Sequence, residues 1–376
     1  MAFAVTLFAS AATAAPAAPI SGGGAAAPGI PVIRDVICAT SCVGLRRATV
    51  GAVVQISGAR LGHATRVVFP ARRGRVVSPI TTRTGRTAQV AVPPGATRGQ
   101  LRVRDDFGNV SRPSEATLDV RPQRELGVAG SLRVIEATTT PRRAYFFGVR
   151  SPQLTYVVGG NEHLNDLRID LVDRRGQIVR SFFRDDVVAN TTQTIRWNGK
   201  DSSGKPARSG AYSFRIGPQG AGRVARAARE SASLGFKLYG FIFPVRGPHS
   251  YGDGLGAPRS GHTHQGQDVF ARCGTPMVAA RGGRVKYAGY HGAAGHYMVI
   301  KGRSTGIDFA YMHMVRAPRF KTGQVVRTGQ RIGEVGESGN ASGCHLHYEM
   351  WSAPGWYSGG SFMNPVPSLR SWDRYS

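Results

Sequence analysis

The apolar positions of this chain recur in short alternating runs closed by turn residues, which is the pattern of β-strands. Between residues 31 and 122 the runs fall at 52–56, 66–69, 88–92 and 100–104, a spacing that predicts a β-sandwich. A second set follows in 131–218, at 153–158 and 167–172, where Arg174-Arg175-Gly176 predicts a turn before the next strand. A third unit opens on the run Phe241-Ile242-Phe243-Pro244-Val245 and a long Gly-rich loop, 246–261. Further strands are predicted at 268–271 and 345–349. The fold class is therefore mainly β, and 50 Gly with 22 Pro agree with many turns and few long helices.

Length and the segments between these runs divide the chain. At 376 residues it is long enough for two or three separate cores. Residues 1–14 are apolar, small and uncharged, and Ala12-Thr13-Ala14 fits a secretory cleavage site, so a signal peptide is expected there. Residues 15–30 and 219–235 read as linkers, the second with some helix around 225–232. The last unit is then 236–376. No apolar run is long enough for a transmembrane helix.

Charge and cysteines change the picture in two ways. With 49 Lys+Arg against 22 Asp+Glu the formal net charge is +27, a balance that favours polyanionic surroundings. The basic residues are mostly Arg and spread through all segments, with no recognised nucleic-acid module. A diffuse affinity for anionic cell-wall polymers, or a merely Arg-rich background composition, is expected from this, and no specific nucleic acid. Four cysteines, Cys38, Cys42, Cys273 and Cys344, suggest disulfides outside the cytosol. Cys38 with Cys42 would close a small loop, and Cys273 with Cys344 would bridge the histidine-rich region. Four separate buried thiols are the alternative.

Candidate chemistry lies between Gly261 and Glu349, which hold seven of the ten histidines. Three pieces stand out: His264-Gln265-Gly266-Gln267-Asp268, Tyr311-Met312-His313, and Gly343-Cys344-His345-Leu346-His347-Tyr348-Glu349. On an extended strand, His264 with Asp268 and His345 with His347 share a face, and Tyr311 with His313 is expected to do the same. Imidazole plus carboxylate converging from three strands is a ligand set that suits zinc. His262 and His296 are expected to line the groove, and His291 to sit on a surface loop. Asp170, Asp173, Asp185, Asp186 and Asp201 form no EF-type loop and are expected as solvated loop charges.

His-x-Gly-x-Asp, a later Tyr-x-His and a terminal Gly-x-His-x-His-Tyr-Glu resemble the lysostaphin/LytM-type zinc endopeptidases of bacterial peptidoglycan, over about 243–365. The resemblance implies a β-sheet-based peptidase domain in which His264, Asp268 and His347 hold Zn2+ and His313 and His345 act on water and substrate. It also implies a transition-state-stabilising tyrosine from the preceding loop, for which Tyr251 is the candidate. Upstream, VVQISGARLGHATRVVFP resembles IPT/TIG-type Ig-like domains, and TIRWNGKDSSGKPARSGAYSFRI resembles the Ig-like domain of FlgD-type extracellular proteins.

The implied whole is two Ig-like sandwiches followed by a secreted peptidase acting on peptide stems and cross-bridges in the cell wall or periplasm. The alternative is a wall-binding or regulatory protein that uses the same groove without cutting.

Overall fold

The computed structural model describes residues 29–123, 132–160, 165–219 and 234–376. The expected signal peptide at 1–14 and the helix around 225–232 lie outside the described residues.

In the first unit a six-stranded sheet runs in the order Val32–Cys38, Val53–Ala59, Thr87–Ala91, Arg75–Arg83, Ala64–Pro70, Arg102–Asp105. A four-stranded sheet contains Cys42–Gly44, Arg47–Thr49, Thr117–Arg121 and Gly99–Gln100. Alternation puts Val36, Ile56, Val67, Val90 and Leu118 into one core shared by both sheets. Each such side chain removed from water contributes about 1.5–3 kcal/mol.

The second unit repeats the plan with a three-stranded sheet and a five-stranded one around Trp197. That indole packs on Tyr212 and Phe236 at 5.3 and 5.9 Å, and its buried Nε1–H donates to the Lys200 carbonyl at 2.7 Å. Gly235–Tyr239, expected at the end of the linker and the start of the last unit, is instead a strand of this five-stranded sheet. It pairs with Gly210–Pro218 and Arg143–Tyr145. Asp173 and Asp201 accept backbone N–H groups two and four residues on, as turn residues do. Asp170, expected as a solvated loop charge, is instead buried in the strand Asn165–Asp173, where Arg168 and Ser181 bind its carboxylate.

The C-terminal unit is an antiparallel sheet in the order His249–Tyr251, Gln267–Ala271, His345–Trp351, Asp308–Met314, Gly295–Gly302, Gly283–His291, Val325–Val326. One face packs Val269, Tyr311, Leu346 and Tyr348 with Phe243, Leu369 and Trp372. The helix Val366–Asp373 supplies the last two from positions i and i+3. Cys273–Cys344 and Cys38–Cys42 are disulfides, with Cα–Cα separations of 5.3 and 5.8 Å.

The units are joined by more than the chain. Arg281, buried, donates to the carbonyls of Gly240 and Arg303 and lies 4.2 Å from the Phe146 ring centroid. Thr328 donates its hydroxyl to the Phe146 carbonyl at 2.7 Å and its N–H to that of Phe147. Between the first two units, the Glu136 carboxylate accepts the Leu45 N–H at 2.9 Å, and the Asn190 carbonyl accepts that of Cys42.

Candidate metal centre

Two adjacent strands carry the centre. Gln267–Ala271 pairs with His345–Trp351 so that Asp268 lies directly opposite His347. His264 enters from the preceding loop, where its Nδ1–H donates to the Gly254 carbonyl at 2.8 Å, leaving Nε2 as an acceptor. Gly266 between them is required by space: a Cβ there would stand 2.5 Å from the Tyr348 carbonyl and 2.9 Å from His347 Nε2.

His347 is held from behind. Its Nε2 meets Glu349 Oε1 at 3.0 Å, and Glu349 Oε2 also accepts from the Trp351 and Trp356 indoles at 2.7 and 2.8 Å. Nδ1 of His347 is thus turned to the centre. There it lies 2.8 Å from His264 Nε2 and 3.0 Å from Asp268 Oδ1, with His264 Nε2 also 3.0 Å from that oxygen. All three residues are buried.

Burial opposes the charge on Asp268, but hydrogen bonds from His264 and His347 outweigh it and hold the carboxyl well below the usual range. Burial also opposes a charged His347, yet Asp268 and Glu349 raise its pKa to about 9. With the outer nitrogen of each imidazole committed to an oxygen, the two inner nitrogens and the Asp268 oxygen are held together here by shared protons, and they converge as three acceptors once those protons leave. A divalent cation is the group that satisfies three convergent acceptors, so the residues fit the implied metal.

Two further imidazoles stand beside this triad. His313 donates Nδ1–H to the Ser338 carbonyl at 2.8 Å and His345 donates Nδ1–H to that of Gly343 at 2.9 Å. Both Nε2 atoms are left as acceptors, His345 Nε2 lying 3.6 Å from Asp268 Oδ1. The rings are 4.6 Å apart between centroids. Burial lowers the His313 pKa to about 4, so this ring is neutral at neutral pH.

The expected pairing of Tyr311 and His313 on one face does not occur. Tyr311 is in the core, its hydroxyl accepting the Ala280 N–H at 2.8 Å. Met312 and His313 together oppose Tyr297, a β-bulge, and His313 has φ +59°. The bulge breaks the alternation and turns His313 back into the cleft.

Tyr251 is likewise elsewhere. It packs on Phe243 with its hydroxyl buried, and burial pushes its pKa up to about 12, so it does not line the cleft. The aromatic rings that do are Phe270, Tyr297, Trp356 and Tyr357, in a cavity of about 1150 Å3. His262 and His291 line it and His296 does not. Arg259, which sequence reasoning passed over, bridges Asp253 at 2.7 Å and the second oxygen of Asp268 at 3.1 Å. Glu349 closes the terminal motif but no role followed from it, and Trp356 and Tyr357 carried no signal separable from an ordinary loop.

Buried His-Asp-His acceptors beside two free imidazoles, on the open face of an antiparallel sheet, define a metallopeptidase-type centre. Residues 262–365 match the model for Peptidase family M23, and the C-terminal unit is an M23 peptidase domain of the lysostaphin/LytM type.

The chain is 36% identical over 165 residues to the L-Ala–D-Glu endopeptidase of Bacillus subtilis, covering 37% of this chain and 48% of that protein. It is 42% identical over 86 residues to the peptidoglycan DD-endopeptidase ShyC of Vibrio cholerae, covering 23% of this chain and 19% of that one. Among solved structures, the catalytic domain of the prophage-encoded M23 protein EnpA from Enterococcus faecalis is 31% identical. That match covers 34% of this chain and 95% of that domain, with a TM-score of 0.29. The chain spans about half, or less, of the length of these curated relatives.

Proposed function

We propose that this protein is an extracytoplasmic zinc endopeptidase that hydrolyses peptide stems or cross-bridges of bacterial peptidoglycan. The observation that carries the reading is the pair of Nε2 acceptors on His313 and His345 beside the acceptor triad of His264, Asp268 and His347. A zinc ion held by that triad supplies Lewis-acid polarisation of the scissile carbonyl and acidifies the attacking water. One of His313 and His345 accepts the water's proton at Nε2. The other faces the carbonyl oxygen and, once protonated, donates to it or to the departing amine. Tyr297, Trp356 and Tyr357 wall the cleft against water and present aromatic surface to the peptide.

The two upstream units, read as IPT/TIG-like and FlgD-like Ig domains, position the catalytic unit on the wall, and a net charge of +27 draws the whole to anionic wall polymers. Two disulfides support an oxidising compartment. Among the described residues no helix is long and apolar enough to cross a membrane. Digestion of purified peptidoglycan by wild type and His345→Ala, with released fragments identified by mass, tests the reading. Cleavage by wild type alone supports it; a metal-loaded wild type that releases nothing refutes it in favour of the non-cutting wall binder.

A further inference from the structure

On the six-stranded sheet of the first unit, Arg66 and Arg104 are direct cross-strand partners on the outer face. Their neighbours Val67 and Val103 face the core, and both arginines are exposed. Like charges placed directly opposite destabilise a sheet. Two positions along, Val68 stands opposite Arg102, and on the other flank the pairing runs to Pro79, Val77 and Arg75. The turn from Arg75 back to the Ala64–Pro70 strand adds exposed Arg72 and Arg73.

Among the described residues nothing on this face neutralises the charge. The nearby acidic groups are spent: Asp105 is buried and caps the 106–109 turn, and Asp106 pairs with His63 at 3.2 Å. Arg66, Arg75 and Arg104 have no carboxylate within ion-pair distance among the described residues. Charges on an edge strand guard against pairing with other chains, which accounts for Arg102 and Arg104. It does not account for Arg66, which sits on an interior strand.

We propose that this arginine face is a binding site for a phosphate-bearing, chain-like wall polymer. Guanidinium forks match phosphate oxygens, and a row of them along a sheet matches a repeating anion. Between the arginines the described residues of the face are Val68, Val77 and Pro79; the exposed Phe107 lies past the strand end against His63, so no row of rings for stacking single-stranded nucleic acid runs along the arginines. The proposal rests on the wall-acting reading of the C-terminal unit, but it concerns a separate surface and has a separate readout.

The test uses the full chain and an Arg66→Gln/Arg104→Gln variant, with Arg174→Gln/Arg175→Gln as a control of equal charge loss on an exposed turn of the second unit. Binding to purified walls, and to walls stripped of phosphate polymers by acid extraction, is measured across salt concentrations. Wild type is expected to prefer intact walls. The Arg66/Arg104 variant is expected to bind them roughly tenfold or more weakly, with a salt slope shallower by about 1.5. The control is expected to bind as wild type does.

The Arg66/Arg104 variant should melt at the same or a higher temperature, because the like-charge pair is gone, and should hydrolyse a soluble peptide at the wild-type rate. Equal weakening by the control, or equal binding to stripped walls, overturns the site. Tighter binding of duplex DNA than of extracted wall polymer at the same salt assigns the face to nucleic acid instead. Absence of peptide hydrolysis by wild type counts against the enzymatic reading and leaves the binding result standing.

Discussion

Nε2 of His347 lies 3.0 Å from Oε1 of Glu349, two residues further along the same strand and on the same face of it. The carboxylate therefore settles which nitrogen of His347 turns to the centre. It also holds the Trp356 indole that forms part of the cleft wall.

Replacing this carboxylate tests its role as an orienting group. Glu349→Gln keeps the volume but offers His347 a weaker acceptor, and zinc affinity is expected to fall about 10–100-fold. Competitive titration against a chromogenic chelator reads this directly, and the indole contacts make Trp fluorescence a second readout. An affinity equal to wild type would mean that packing alone orients His347.

The two imidazoles outside the acceptor triad are expected to matter for turnover and not for metal content. His313→Ala and His345→Ala should each lower peptide-bond hydrolysis by about 10²–10⁴-fold while retaining zinc. Metal analysis of the purified variants beside their rates separates the two effects. A variant that loses its zinc would place that histidine among the ligands.

Cys273 and Cys344 close a loop of 71 residues, and Cys344 immediately precedes His345. Restricting the unfolded chain over that span is worth about 4 kcal/mol. A Cys273→Ser/Cys344→Ser variant should lose most of this in denaturant unfolding, and reductant should lower the melting temperature of wild type. Unchanged melting in reductant, with free thiols found by mass, would contradict the bridge.

Glu334 gives the domain an acid-sensitive element. Its buried carboxylate meets Arg316 at 3.1 Å, Arg331 at 2.7 Å and Arg319 at 3.6 Å. Burial alone would raise its pKa; the Arg316 hydrogen bond and the three guanidinium charges outweigh this and hold it below the ordinary value. A carboxyl lowered on folding stabilises fully above its unfolded pKa of about 4.3, and that stability drains away as pH falls through the folded value. Glu334→Gln should be less stable than wild type at pH 7, with a flatter fall in stability below about pH 5. Parallel curves for the two proteins would show the cluster to be energetically silent.

Much of the centre could be read from spacing alone. His264, Asp268, His345 and His347 lie on regular strand or loop positions, where a period of two decides the face. His313 shows where that rule ends: its strand neighbour Tyr311 takes the core position, and only an inserted residue opposite Tyr297 returns the imidazole to the cleft. Bulges leave no mark in the hydrophobic pattern.

Tyr251 failed for a related reason. A short strand, His249–Tyr251, runs through the predicted Gly-rich loop and carries the ring to the inner face. The strand Gly235–Tyr239 was missed because its partners lie in the preceding unit, and long-range pairing is invisible to local periodicity. Trp356 and Tyr357 enter the cleft from a turn-rich segment where ring direction depends on Glu349, Gln265 and Asp308.

The seam at Phe146, Arg281 and Thr328 bears on how far the cleft can reach. A guanidinium stacked on a ring of the neighbouring unit, with hydroxyl and amide donors engaged beside it, fastens the catalytic unit to the second unit by side-chain contacts as well as by the chain. If the arginine face of the first unit anchors as proposed, the contacts between the units place the bonds open to attack at an offset from that anchor. On the proposed reading the protein would work as a caliper rather than a flail, its choice of bond decided in part by the geometry of the wall around the point of attachment.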